Sequence, residues 1–200
     1  GNDTMFGNDG DDTYYVRDSG DVVSEAANEG TATVYSYLAS YALAANVEVA
    51  HVMSPGIAGL TGNAHNNFLY AGKGNNTLVG GGGIDSVSYY YGHNGTGVSV
   101  SLASTVTQST VGSGSDTLNS IENLHGSNYT DRLTGNAGIN YLRGYNGNDS
   151  LDGGAGNDIM VGNAGNDAYY VRDSGDLVTE AANEGTDIVY SYLATYSLAA

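Results

Sequence analysis

Cysteine and tryptophan are absent, proline occurs once, and five Lys and Arg face 22 Asp and Glu. Without cysteine there is no disulfide staple and no thiolate metal site, so any stabiliser beyond the core has to be something else. A formal net charge of −17 disfavours nucleic acid and anionic membrane surfaces as partners, because both would be repelled. No apolar run approaches the ~18 residues of a membrane span, so no span is expected. Gly1 falls inside a repeat, so no signal peptide is in view. Apolar residues recur singly and without helical spacing, which excludes a broad core of amphipathic helices. Catalytic signatures are missing too: no nucleophile elbow, phosphate-binding loop or dinucleotide fingerprint occurs. The four histidines, His51, His65, His93 and His125, have no zinc-binding spacing and read as ordinary surface or turn residues.

What the chain does have is glycine, 31 residues of it, placed periodically. From Gly126 to Tyr170 the sequence divides into five nine-residue units: GSNYTDRLT, GNAGINYLR, GYNGNDSLD, GGAGNDIMV and GNAGNDAYY. Glycine opens each unit. The sixth position is Asp131, Asn140, Asp149, Asp158 or Asp167, and the eighth is Leu133, Leu142, Leu151, Met160 or Tyr169. Each unit supplies a glycine turn and then a short strand, so two units complete a flattened right-handed coil. Glycines permit φ > 0 and close backbone approach, which lets turn carbonyls face a metal. Calcium takes about six to eight hard oxygens from carboxylates and carbonyls, which suits an aspartate beside a glycine turn. Stacking places Asp149 and Asp167 on one edge and Asp158 in register with Asn140 on the other, while the eighth positions point inward as a thin core. The G-G-x-G-x-D-x-U-x pattern is that of a calcium-binding parallel β-helix.

The remaining chain carries the same rhythm less regularly. Residues 1–15 are two units with Asp3 and Asp12 at the sixth position. Residues 16–61 read as wider coils, with β-prone pieces at Tyr14–Val16, Asp21–Ser24, Thr33–Tyr37 and Val47–Val52, and with EAANE too short for an independent helix. In 62–91 the units are degenerate: Asn67 and Asn76 replace Asp, and Asp85 restores it. Asparagine offers an oxygen without charge, so these coils are expected to act as spacers. Residues 92–125 read as connecting coils, with alternation at Val98, Val100 and Leu102 and a further unit bearing Asp116. Residues 126–155 return to calcium nonapeptides.

A longer period runs over these. Residues 1–45 align without a gap on 156–200, with 34 of the 45 pairs identical. The chain is thus expected to hold one super-repeat, 1–155, and the start of the next, 156–200, in an array that continues beyond both ends.

On the residues 144–170 above all, and on the connecting stretches NDTYYVRDSGDVVSEAANEGTATV and GSDTLNSIENLHGS, the chain closely resembles the repeats-in-toxin (RTX) family of calcium-binding β-roll proteins. The resemblance implies an all-β, right-handed parallel β-roll solenoid with several bound calcium ions. It also implies export by type I secretion, an unfolded state at low calcium, and folding outside the cell or at its surface. The expected ligands are Asp149, Asp158, Asp167, Asp3, Asp12, Asp85, Asp116 and Asp131, with turn carbonyls near Gly144, Asn146, Gly153, Ala155, Gly162 and Ala164.

The chain is expected to be a structural segment of a long extracellular bacterial protein, a filament, surface layer or adhesin stalk, and not an enzyme. The alternatives are a secretion and folding module of a secreted enzyme, such as a polysaccharide epimerase, lyase or protease, and a glycan-binding module. Its expected partners are neighbouring repeats of the same chain, further copies in a larger assembly, and polysaccharide. Seventeen tyrosines bear on the last two. YSYLASY and YSYLATY alternate, so stacked coils would line tyrosines into ladders on one face, suited to lateral contact or saccharide binding.

Overall fold

The computed structural model describes residues 1–197, so the last three positions of the 156–200 copy lie outside the described residues. Its strands are three to six residues long, set by the distance between glycine turns. Among the described residues there is no helix. EAANE, too short to nucleate one, closes as a turn in which the Glu29 carboxylate accepts the Ala26 N–H.

Successive strands alternate between two faces. One face is a nine-stranded sheet running from Thr13–Val16 to Leu177–Thr179, and all its pairings are parallel. The other face is divided into a two-stranded sheet and two five-stranded sheets. In the regular part each coil is two nine-residue units, so that Asn123 faces Tyr141 and Tyr141 faces Ile159 on one side, while Arg132 faces Ser150 and Ser150 faces Ala168 on the other. The wider coils vary about that length. The step from Thr13 to Thr33 is two residues longer, and the next, from Thr33 to Val49, is two residues shorter.

Parallel register puts each eighth position on the one before it. Leu69, Val87, Leu124, Leu142 and Met160 form one inward file, and Leu133, Leu151 and Tyr169 form the opposing file, all fully buried. A slip of one residue would turn a file outward, so the core enforces the register. Each fully buried aliphatic side chain contributes about 1.5–3 kcal/mol. Most nonapeptide strands bury a single apolar side chain, while Thr13–Val16 and Ala168–Val171 bury two, Tyr14 with Val16 and Tyr169 with Val171, so the core is thin and has little depth to absorb a loss.

Two features depart from the expected coils. Ser40–Ala42 adds a strand to the wider-coil region. In the 92–125 stretch, Gln108–Val111 and Gly114–Asn119 pair antiparallel as a hairpin, and Val111 bridges Val98. The nine-stranded face makes one step here, from Ser86–Ser88 to Asn123–His125, while the opposite face inserts three strands. The hairpin turns on Val111 and Gly114, both with positive φ.

The long period has a geometric counterpart. Thr4 pairs with Val22 and Ile159 with Leu177; Thr13 pairs with Thr33 and Ala168 with Ile188, so both copies use the same offsets. The faces differ, however. Thr13–Val16 lies in the nine-stranded sheet, whereas Ala168–Val171 lies in a five-stranded sheet opposite. The nine-stranded sheet takes seven steps from Thr13–Val16 to Ile159–Ala164, and Ala168–Val171 follows half a coil later. One super-repeat is therefore seven and a half coils, and the next copy starts on the other face.

Truncating one link of a single-file core tests its weight. Leu142→Ala should cost about 2–5 kcal/mol in urea unfolding at saturating calcium, whereas truncating the exposed Ile139 should change little.

Candidate metal centre

The sixth-position carboxylates are buried at the coil edges: Asp85, Asp149, Asp158 and Asp167 are each at most 2% exposed. They are held by the neighbouring coil. The Asp131 N–H donates to Asp149 Oδ1 at 2.7 Å and the Asp149 N–H to Asp167 Oδ1 at 2.6 Å. On the other edge Asn140 N–H donates to Asp158 Oδ1 at 2.8 Å and Asn67 N–H to Asp85 Oδ1 at 2.7 Å. Stacking thus engages one oxygen of each carboxylate.

The sixth position divides the loops into two kinds. In one kind the backbone four residues earlier closes it, on the second carboxylate oxygen of Asp131 or on the single amide oxygen of Asn67, Asn76 and Asn140: Asn63 N–H to Asn67, Gly72 N–H to Asn76, Ser127 N–H to Asp131 and Asn136 N–H to Asn140, at 2.5–2.8 Å. In the other kind Oδ2 of Asp12, Asp85, Asp149, Asp158 and Asp167 has no hydrogen-bond partner and no solvent exposure. The backbone explains the difference. Four residues before each open carboxylate stand Asn8, Gly81, Tyr145, Gly154 and Asn163, all with positive φ, while the corresponding residues of the closed loops have none. The left-handed residue does not donate its N–H to the carboxylate. For Tyr145, at φ 81°, this conformation is unfavourable and is sustained by the surrounding stack.

Glycine is required where the carboxylate turns in. A Cβ on Gly144 would collide with Asp149 Oδ2 and come within 2.9 Å of the Gly162 carbonyl oxygen. An unpartnered buried carboxylate oxygen is costly, and a carboxylate with nearby glycine carbonyls is a hard oxygen set that suits calcium. The five open loops therefore fit the ion. Asp149, Asp158 and Asp167 would supply its charge, with glycine-turn oxygens near Gly144, Gly153 and Gly162 beside them. Asn146 and Ala164 lie on extended strands, and the Ala164 carbonyl accepts the Gly147 N–H at 2.9 Å. The Ala155 N–H donates to the Asn136 carbonyl at 3.1 Å, which ties its loop to the coil before.

The other candidates sit differently. Asp131 is buried, but the Ser127 N–H and hydroxyl and the Val98 N–H all donate to it. Asp116 lies on the hairpin strand and takes the Asn76 N–H at 2.6 Å and the Thr110 hydroxyl at 3.4 Å. Asp3 is exposed on the first coil. Two histidines are packed among aromatic rings, His51 half-buried and His125 buried. His51 stacks between Tyr35 and Tyr70 at 4.5 and 4.0 Å, and His125 is buried against Phe68; burial lowers both to about 4. Neither the stack nor the carboxylates Glu122, Asp176, Glu180 and Asp187 at the same edges carries a signal in the nonapeptide pattern. Glu122 accepts the Asp85 N–H and Asp176 accepts the Asp158 N–H.

Burial raises the open carboxylates, Asp149 to about 7 and Asp158 and Asp167 to about 6, and neighbouring acids add to the shift. A carboxylate raised on folding stabilises the fold while protonated. That contribution is present below about pH 4 and is lost as pH rises through 6–7. Without calcium the chain should therefore be less stable at pH 8 than at pH 5 in thermal unfolding, and calcium added at pH 6.5 should release protons. Asp149→Asn should weaken calcium binding at least tenfold by calorimetry, whereas Asp131→Asn, in a closed loop, should leave it within about twofold.

A search of curated proteins finds none that matches the chain. The model of the RTX calcium-binding nonapeptide repeat matches four stretches, 1–23, 60–87, 125–160 and 134–169. These contain all five open loops. A solenoid of parallel strands with glycine-turn edges and four matches to that repeat places the chain in the RTX calcium-binding nonapeptide repeat family.

Proposed function

We propose that this chain is a calcium-stabilised structural segment of a long secreted bacterial protein, an extracellular filament, surface layer or adhesin stalk, and is not itself catalytic. The observation that carries the proposal is the common register of the two copies. Ile188–Ser191 corresponds to Thr33–Ser36, which pairs on its far side with Val49–Val52. A further super-repeat therefore has a matching edge on which to stack, and the solenoid can extend without new geometry. RTX repeats belong to secreted proteins, and at extracellular calcium the five open carboxylate sites would hold the stack together.

Self-association is supported by the aromatic faces. Tyr15, Tyr35, His51 and Tyr70 stack along the nine-stranded sheet, with centroids 5.3, 4.5 and 4.0 Å apart. Tyr170 and Tyr190 stack at 5.1 Å on the opposite sheet. Because the super-repeat is half-integral, successive copies would present this ladder on alternate sides. Lateral neighbours could then pack on both, as a layer requires. A second reading, polysaccharide binding, is favoured by a cavity of about 580 Å³ lined by Tyr35, His51, Tyr70, Tyr91 and Lys73.

Electron microscopy of the source material should show filaments or layers of uniform width that come apart on chelation, with parallel loss of the β signal in circular dichroism and recovery on adding calcium. An intact β signal after exhaustive chelation would sink the calcium reading. A single short RTX segment behind a catalytic domain would favour the secreted-enzyme module instead. Replacing Tyr35, Tyr37, Tyr190 and Tyr192 with serine should abolish lateral assembly while preserving the calcium-dependent fold; unchanged assembly would remove the tyrosine faces from the interface.

A further inference from the structure

We propose that Asp167, Glu180 and Asp187 form a divalent-cation site, completed by the Tyr169 hydroxyl, which joins the last nonapeptide to the segment that follows it. Glu180 and Asp187 lie outside the nonapeptide pattern. The following coil is two residues longer than a regular one, with Ala168 facing Ile188, and this brings both acids to the Asp167 edge. One oxygen from each of the three carboxylates lies within 4.8 Å of the others.

Four buried oxygens at this point have no partner. Asp167 is 1% exposed with Oδ2 unpaired, Tyr169 is fully buried with its hydroxyl unpaired, and neither carboxylate oxygen of Glu180 has a donor. They converge on the space left by the missing side chain of Gly162. A Cβ there would meet Asp167 Oδ2 and the Tyr169 hydroxyl and lie 2.6 Å from Glu180 Oε1. Asp187 is held in place by accepting the Asp167 N–H at 2.9 Å. Neither ion pair among the described residues reaches these acids: Arg172 is taken by Asp152, and the amino terminus by Asp18. A cavity of about 570 Å³ lined by Tyr169, Glu180, Asp187 and Tyr196 gives access. Three carboxylates and a phenol oxygen, without nitrogen or sulfur, select a hard cation of the calcium or magnesium class.

The first copy of the super-repeat is an internal comparison. Asp12, Tyr14 and Glu25 stand where Asp167, Tyr169 and Glu180 stand in the second, but Ala32 replaces Asp187. There the Tyr14 hydroxyl donates to Glu25, so the acid and the phenol satisfy each other. Loss of one carboxylate accompanies a closed arrangement in place of an open one. The choice of calcium as the ion rests on the proposed calcium role of the nonapeptides; the convergence of oxygens does not.

Calcium bound per chain is measured at pH 7.5 by equilibrium dialysis and calorimetry on the 200-residue chain, with circular dichroism at saturating calcium as the folding control. Asp187→Ala should bind one ion fewer and stay folded. Ala32→Asp should bind one ion more, a gain that a misfolded chain could not produce. Asp158→Asn, on the opposite edge, should remove a nonapeptide ion and leave the Asp187-dependent one. Wild-type counts in Asp187→Ala together with no gain in Ala32→Asp would overturn the proposal while leaving the nonapeptide ions intact. A wild-type chain that bound no calcium would instead overturn the nonapeptide reading and, with it, the choice of ion.

Discussion

The structure depends on a buried carboxylate used twice. From Asp85 onward, one oxygen of each sixth-position aspartate accepts a backbone N–H of the coil before it, which fixes the vertical spacing of the stack. The other oxygen, in five loops, faces no donor. Much else follows from making that arrangement tolerable. The first glycine of the unit is there because a Cβ would occupy the carboxylate's space. The second position turns left-handed and withholds its N–H. The single-file core is there to keep successive edges in register.

This division of labour explains how so thin a fold persists. In the regular part a coil of two nonapeptides buries one eighth-position side chain on each face, so the core is thin and the edges weigh heavily on stability. Burial disfavours the ionised form of Asp149, Asp158 and Asp167, so a cation that neutralised them would remove that cost. Ionisation of these carboxylates and binding of a cation are therefore coupled.

The period, the inward files and the edge positions of Asp149, Asp158 and Asp167 were legible in the sequence, because nine-residue spacing maps directly onto half a coil. The kind of loop was less so. Asparagine occupies the second position of open loops at Asn8 and Asn163 and of closed loops at Asn63 and Asn136, so residue type there does not decide the sign of φ. The sixth position is a better guide: asparagine accompanies closure at Asn67, Asn76 and Asn140. Asp131 breaks even that rule, because Ser127 brings both an N–H and a hydroxyl to its carboxylate. The hairpin at Gln108–Asn119 and the placement of His51 within the tyrosine stack depend on which coils become neighbours. The convergence of Glu180 on Asp167 depends on the same thing, and a local pattern does not state it.

The ladder also has a direction. Asp131 donates to Asp149, Asp149 to Asp167, and Asp167 to Asp187, so each coil satisfies an N–H of its predecessor while bringing its own unpaired oxygen. Growth toward the carboxyl terminus adds, with every open loop, one donor satisfied and one anion to be neutralised. Loops with asparagine at the sixth position add no anion: Asn67 and Asn140 instead donate Nδ2 to the Val47 and Glu122 carbonyls of the coil before, and these loops sit between the charged runs. Interleaving the two spaces the buried charge along the axis. Such a stack can propagate over many super-repeats without accumulating repulsion at one edge, and the half-coil offset exchanges the two edges from one super-repeat to the next.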